Sequence, residues 1–176
     1  MSKIILKNVR ISFADLFKKG SFNGEETKYG ATFLLNKEEH ADSIAGIKAQ
    51  IAELVKTNLK GAKIAADKLC LRDGDDVEYD GYAGCYSIKC STKKRPIVID
   101  RDRSPLSEDD GKPYGGCYVN ASIDLWVQNN AYGKRVNSSL LAVQFFKDGE
   151  PFSDGSTGDI NDFDLFSDDD DDDMFA

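Results

Sequence analysis

The chain has 176 residues and a net charge of −8, with 40% hydrophobic and 31% charged residues. This length fits one ordinary domain, and no stretch has the length or composition of a membrane span or a signal peptide. We therefore expect a soluble intracellular protein, whose four cysteines match no zinc or redox spacing and are expected to be buried free thiols.

The first half of the chain predicts two strands followed by a helix. Residues 3–13 and 28–35 mix apolar with polar residues as strands do, and a turn lies between them. Asn36 followed by Glu39 predicts a helix start, and apolar residues then recur at helical spacing. Gly61 is the expected helix end because glycine accepts the left-handed turn found there.

The second half predicts strands joined by turns and polar loops. Turns are predicted at Asp73-Gly74-Asp75 and at Asp80-Gly81, before the first of these strands. Extended runs are predicted at 84–91, 96–99, 117–128 and 134–146, and residues 129–133 form a hairpin loop between the last two. One helix among five or more short strands predicts a mainly β fold, an OB-fold-like small β-barrel.

The run 117–128 separates by parity into an apolar and a polar face. Tyr118, Asn120, Ser122, Asp124, Trp126 and Gln128 share the polar face, and the residues between them are apolar. Two aromatic rings on a polar face predict a platform on which nucleobases stack. The alternative is that Trp126 and Tyr118 pack beneath the helix or a loop.

Basic and aromatic residues are interleaved in the same half of the chain. A groove for single-stranded nucleic acid needs cations for the phosphates and rings for the bases. The predicted DNA-binding residues are Tyr82, Tyr86, Lys89, Lys93, Lys94, Arg95, Arg101, Arg103, Tyr114, Tyr118, Trp126, Tyr132, Lys134 and Arg135.

Residues 153–176 form an acidic segment that differs in composition from the rest. It holds ten aspartates and no basic residue, so residues 1–152 keep 23 basic and 21 acidic residues, a net charge of about +2. We interpret 1–152 as the binding domain and 153–176 as a disordered, flexible tail that competes with DNA and recruits partner proteins. Its predicted partner-binding residues are Phe163, Phe166, Asp168, Asp169, Asp170, Asp171, Asp172, Asp173 and Phe175.

Three stretches of the second half resemble a phage family of single-stranded DNA-binding proteins, once catalogued as a domain of unknown function. They run from Gly116 to Trp126, from Tyr132 to Asn137 and from Val143 to Phe152. The resemblance implies an OB-fold, a role in phage replication or recombination, and a location in the cytoplasm of a bacterial host. Its motif positions here are Tyr118, Trp126, Tyr132, Lys134 and Arg135.

Other classes of function are weaker alternatives. His40, the only histidine, is expected to be a solvated helix residue, and no phosphate-binding glycine loop or nucleophile motif is present. The acidic turn at 73–80 fits a solvated loop better than a metal site, and no cofactor is predicted. A non-enzymatic single-stranded DNA-binding protein is therefore expected, with possible homo-oligomers; the alternatives are an RNA-binding protein and a DNA-mimic or chaperone-like protein.

Overall fold

The computed structural model describes residues 2–22, 25–26, 28–79, 81–131 and 133–152. Tyr132 and the whole segment 153–176 lie outside the described residues, and with them lie the predictions made for Phe163, Phe166, Phe175 and the six consecutive aspartates.

Within the described residues the chain forms a β-structure with one α-helix. The elements are β1 (Ser2–Asp15), β2 (Ser21–Phe22), β3 (Glu25–Glu26), β4 (Tyr29–Asn36), α1 (Ala41–Asn58), β5 (Leu71–Asp73), β6 (Cys85–Thr92), β7 (Ile97–Ile99), β8 (Tyr118–Asn130) and β9 (Gly133–Lys147). Over this part of the chain, no helix is both long enough and apolar enough to span a bilayer.

Five strands form a ring in the order β6-β4-β1-β8-β9, with β5 and β7 attached at its sides. The ring closes where β6 meets β9 in a parallel bridge between Ser91 and Ser139. Neighbouring strands elsewhere in the ring are antiparallel. The ring is thus a partly open barrel with one crossing connection, as in an OB-fold. The predicted fold class is confirmed.

The core lies inside this ring and beneath α1. Residues of β8 alternate between buried and half-buried from Tyr118 to Leu125, as the parity of the sequence predicts. The helix contributes Ile44, Ile47 and Ile51, which are spaced three and four residues apart and so form one buried stripe.

The helix begins later than predicted, at Ala41, because Asn36 caps a preceding turn. The Asn36 side-chain oxygen accepts hydrogen bonds from the amides of Glu38 (2.9 Å) and Glu39 (3.0 Å). His40 is half-buried and is not a solvated helix residue, so that prediction was wrong. Its Nδ1 accepts from the Asn36 amide (3.1 Å) and its Nε2 lies 3.1 Å from the carbonyl oxygen of Asn8. The imidazole ring of His40 therefore joins the start of α1 to β1.

Candidate nucleic-acid interface

A cleft of about 740 Å³ crosses the outer face of β4 and β6. Small side chains line its floor: Thr32 lies opposite Lys89, and Gly30 lies opposite Ser91. Thr32 and Ser87 are almost fully buried on this face. A floor of small residues between taller walls makes the face concave, and its hydroxyl groups can form hydrogen bonds with a ligand.

Three aromatic rings stand together on one wall of the cleft. The Phe13 and Tyr79 rings meet edge to face with centroids 5.3 Å apart, and Tyr79 lies 5.2 Å from Tyr82. Phe13 is 40% exposed and Tyr79 is 52% exposed. Tyr82 is buried, and its hydroxyl donates to the Ser12 Oγ (3.2 Å). The wall therefore has one fixed ring and two exposed ones.

Positive charge predominates among the charged side chains that line the cleft, which are Lys28, Arg72, Lys89 and Asp15. Lys89 projects from the middle of β6 and is exposed. Arg72 is held in place because its guanidinium donates to the carbonyl oxygens of Asp67 (2.6 Å) and Leu69 (3.1 Å). Desolvation raises the pKa of the Asp15 carboxyl above its ordinary value, which disfavours its negative charge.

Two of the four free thiols, Cys70 and Cys90, also line the cleft. Burial raises the pKa of Cys70 to about 11, and burial likewise raises the pKa of Cys90. Both thiols are therefore neutral at physiological pH and behave as small apolar groups. Cys117 is buried and Cys85 is half-buried, so the expectation of buried free thiols holds fully for three of the four cysteines.

The segment 73–84, which brings Tyr79 and Tyr82 to the cleft, is fastened at both ends by Lys37. The Lys37 Nζ contacts the carboxylates of Asp73 (2.8 Å) and Asp75 (2.7 Å). Asp75 in turn accepts from the Gly84 amide (2.8 Å), and the Lys37 amide donates to the Gly84 carbonyl (3.0 Å). The hydrogen bonds from Lys37 lower the pKa of both aspartates. These carboxylates of the acidic turn thus neutralise a lysine.

Two of the residues predicted from the sequence, Tyr82 and Lys89, line the cleft itself. Others lie in connections next to it. Lys93, Lys94 and Arg95 are exposed just beyond the end of β6, and the Arg95 guanidinium lies 5.7 Å from the Phe17 ring in the connection that supplies Lys28. Lys134 and Arg135 begin β9, where the neighbouring Val136 carbonyl accepts from the Cys70 amide (2.9 Å).

Other predicted residues are placed away from the cleft. Tyr86 borders a second cavity of about 570 Å³ beside α1, and its hydroxyl accepts from Lys48 (2.7 Å). Tyr114 donates to the Asp148 carboxylate (2.8 Å) and thereby ties two loops together. Arg101 and Arg103 are exposed in the turn after β7.

The two aromatic residues of the predicted stacking platform lie far apart along β8. Trp126 is 40% exposed, while Tyr118 is half-buried with the Lys147 Nζ 4.8 Å from its ring centroid. Both rings occupy the polar face, as predicted. Eight residues of strand separate them by about 26 Å, so a single base cannot touch both.

Among the aromatic and cationic residues that line the cleft, five were not among the sequence predictions: Phe13, Lys28, Tyr29, Arg72 and Tyr79. Parity assigns Phe13 to the same face as the buried Val9 and Ile11, and only an irregularity in β1 turns it outward. Tyr79 lies in an acidic turn, where an isolated tyrosine gives no periodic signal. The proximity of Tyr79 to Tyr82 in the sequence was the available clue.

One protein-family model matches this chain over nearly its whole length. The model describes the single-stranded DNA-binding protein of Enterobacter phage Enc34, and it matches residues 2–175. The chain belongs to this family. A family member from Acyrthosiphon pisum secondary endosymbiont phage 1, named putative protein p50, is 42% identical, with 94% of each chain covered.

Solved structures of the family have the same fold. The single-stranded DNA-binding protein from bacteriophage Enc34 is 36% identical with a TM-score of 0.79, covering 89% of this chain and 87% of that one. The same phage protein in complex with single-stranded DNA is 37% identical with a TM-score of 0.77, covering 86% and 90%. Membership of this family confirms the resemblance found in the sequence.

Proposed function

We propose that this protein binds single-stranded DNA in the cleft across β4 and β6. The observation that supports this most directly is the combination of three aromatic rings with Lys28, Arg72 and Lys89 in one concave site. OB-folds bind oligonucleotides on the face formed by the second and third barrel strands. In this ring those strands are β4 and β6, so the cleft lies where the fold predicts it.

The path of the DNA extends beyond the cleft at both ends. Lys93, Lys94 and Arg95 continue it from the end of β6, and Lys134 and Arg135 continue it at the β8–β9 hairpin. Four of these cations are exposed and Arg135 is half-buried; they bind phosphates, while the cleft receives the bases. In this proposal Trp126 and Tyr118 mark an additional contact surface for a longer strand.

The acidic segment 153–176 acts as an internal competitor of the DNA. The described chain ends at Phe152, whose amide donates to the Gly115 carbonyl (3.1 Å). The Phe152 ring lies against Gly81, in the same segment that bears Tyr79 and Tyr82. The acidic segment follows Phe152 directly in the sequence, and in this proposal its ten aspartates pair with the cleft cations in place of phosphates.

In a phage-infected cell this protein coats and protects single strands during replication or recombination. DNA displaces the acidic segment because it adds base stacking to the phosphate contacts. The released Phe163, Phe166 and Phe175, among their aspartates, then bind other replication or recombination proteins. The protein acts in the cytoplasm of the bacterial host, by binding and without catalysis.

A titration with three ligand classes tests the proposal. Labelled oligo-dT, the matching duplex and oligo-rU are each titrated at several salt concentrations, and fluorescence anisotropy is read. We expect oligo-dT to bind most tightly, with an affinity that falls steeply as salt rises. Equal binding of the duplex, or no binding of oligo-dT, would refute the function; tighter binding of oligo-rU would reassign it to RNA.

A single cleft lysine tests the location of the site. Each phosphate contact to a single strand contributes about 0.7 to the slope of log K against log salt, so Lys89→Ala should reduce that slope by about this amount. Lys3→Ala removes an exposed lysine of β1 that does not line the cleft, and serves as the matched control. Identical slopes for both variants would place the DNA elsewhere on the protein.

A further inference from the structure

Phe13 has an unusual backbone conformation for a large aromatic residue. Its φ is +49°, in the left-handed region that residues other than glycine rarely adopt. The register between β1 and β4 shifts between Ser12 and Asp15, so Phe13 occupies a bulge. Strained residues of this kind concentrate at ligand sites, where the surrounding structure holds them in place.

The bulge has a clear effect on where the Phe13 ring lies. In a regular strand Phe13 would follow Val9 and Ile11 into the core, where both are fully buried. The left-handed residue turns the ring out into the cleft instead, where 40% of it is exposed. A large apolar side chain is thus withdrawn from the core at the cost of backbone strain, and it keeps only partial burial and the contact with Tyr79.

The partner of Phe13 is equally exposed and is backed by a rigid group. Tyr79 is 52% exposed, and its ring meets Phe13 edge to face at an interplanar angle of 78°. Behind it, Tyr82 is buried and fixed to Ser12 through its hydroxyl group. A base that enters between the two outer rings would replace their mutual edge contact, while the buried inner ring keeps its hydrogen bond to Ser12.

We propose that Phe13 and Tyr79 form a clamp for one unpaired nucleobase, with Tyr82 as its fixed backing. This assignment rests on the proposed binding of single-stranded DNA and names the groups that grip the base. An unpaired base presents two flat faces to the rings, while Lys89 and Lys28 in the same cleft bind the flanking phosphates. A base within a duplex is stacked on both faces and cannot enter.

The decisive variant is Phe13→Gly, because it separates a role in binding from a role in folding. Glycine adopts a positive φ without strain, and this relief offsets the lost edge-to-face contact with Tyr79, so the melting temperature of Phe13→Gly should stay close to that of the parent. Affinity for oligo-dT should fall about tenfold, the effect of losing one stacked base. A group that merely supports the structure would lower stability and affinity together.

Further variants sharpen the test. Tyr79→Leu should lower oligo-dT affinity to a similar degree, and neither variant should weaken binding of an abasic oligomer, which has phosphates but no bases. Phe146→Leu, which removes a half-buried ring outside the cleft, is the matched control and should bind oligo-dT as the parent does. All variants are made both in the full chain and without residues 153–176, so that competition from the acidic segment is separated from stacking.

Several outcomes would overturn the clamp. One is unchanged oligo-dT affinity in Phe13→Gly and Tyr79→Leu while the parent binds normally; the proposed function would then stand without the clamp. Another is an equal loss on the abasic oligomer. A third is a loss in Trp126→Leu alone, which would move the base to β8. Failure of the parent to bind oligo-dT would instead refute the proposed function itself.

Discussion

Arg10 joins β1 to the last described residues of the chain. Its Nε donates to the Gly116 carbonyl (3.0 Å) and its Nη2 donates to the Glu150 carbonyl (2.6 Å). The guanidinium also lies 4.1 Å from the centroid of the Phe152 ring. One side chain thus fixes the point from which the acidic segment departs, and lysine cannot reproduce this geometry because it lacks the planar fork.

We predict that Arg10→Lys lowers the free energy of unfolding by about 1–2 kcal/mol, since a hydrogen bond and the ring contact are lost. Cleavage by a protease near Glu150 should also become faster. Urea denaturation and limited proteolysis measure the two effects. The control is Arg101→Lys, an exposed arginine 5.9 Å from the Phe146 ring, which should change neither quantity. Equal effects of the two substitutions would contradict the anchoring role.

For single residues, the sequence predicts on which face of a strand a side chain lies only where the strand is regular. Trp126 and Tyr118 fall on the polar face of β8, as parity requires, because that part of the strand alternates without interruption up to Leu125. Phe13 does not follow parity, because a bulge at one residue reverses its direction. Such a bulge depends on the pairing with β4, and that pairing is not encoded in the neighbouring residues alone.

The segment 73–84 is the element whose role was hardest to predict. Its acidic composition indicates a solvated turn, yet it forms a wall of the cleft and bears two of the three rings. The Lys37 ammonium holds the start of this segment through Asp73 and Asp75, and Lys37 directly follows the last residue of β4. A lysine nearly forty residues away gives no local signal of this contact, so only the folded structure reveals it.

The pKa shifts of this group predict how the segment responds to pH. The pKa values of Asp73 and Asp75 are lowered in the folded protein, so their contribution to stability is present above the ordinary carboxyl pKa near 3.8 and is lost as the pH falls below it. The pKa of Lys37 is raised by the same bonds, so its contribution is lost only as the pH rises above its ordinary value of 10.5. The contacts are therefore intact throughout the neutral range.

We predict that Lys37→Met lowers the urea midpoint at pH 7, and that the difference from the parent narrows as the pH is taken from 5 to 3. Affinity for oligo-dT should fall roughly two- to tenfold, because Tyr79 is less well positioned. Lys18→Met breaks the exposed ion pair with Glu108 (3.0 Å) and provides the control. A difference that stays constant with pH would show that the aspartates are not responsible.

For the whole molecule, the uneven distribution of charge is the feature with the largest expected effect on binding. Residues 1–152 carry a net charge of about +2, and the ten aspartates of 153–176 bring the total to −8. In the proposed function this segment is a tethered competitor; such a competitor reaches an effective concentration of about millimolar and suppresses weak ligands more than tight ones. The proposed attraction is electrostatic, so we expect salt to weaken it together with DNA binding.

Deletion of residues 153–176 should therefore strengthen oligo-dT binding about tenfold or more at low salt, and the gain should shrink as salt rises. Anisotropy titrations of both proteins over a salt series measure this. Replacing the six consecutive aspartates by asparagine keeps the length and should reproduce most of the gain. A truncated protein with unchanged low-salt affinity would exclude competition, and a loss of affinity would favour a DNA mimic.

The architecture of the molecule was predictable where its signals are local. The succession of the longer strands and of α1 along the chain, and the long β8–β9 hairpin, follow from periodicity and turn residues; the short strands β2, β3 and β5 were not predicted. The closure does not, because Ser91 near the end of β6 meets Ser139 in the middle of β9, and a single bridge between two serines gives no apolar pattern that specifies the pairing. The cleft is hard to predict from the sequence for the same reason, because its lining residues come from four separate strands, β1, β4, β5 and β6.

The long first strand places the two ends of the described chain far apart. Ser2 pairs with Leu125 near the hairpin, whereas Phe152 is held at Gly115, before β8 begins. The seven residue steps of β8 from Tyr118 to Leu125 correspond to about 23 Å. A dye or a biotin handle attached near Ser2 would thus lie far from both Phe13 and Phe152. Surface-tethered molecules should keep their native response to DNA, while a handle attached after Phe152 would disturb the competition proposed for the acidic segment.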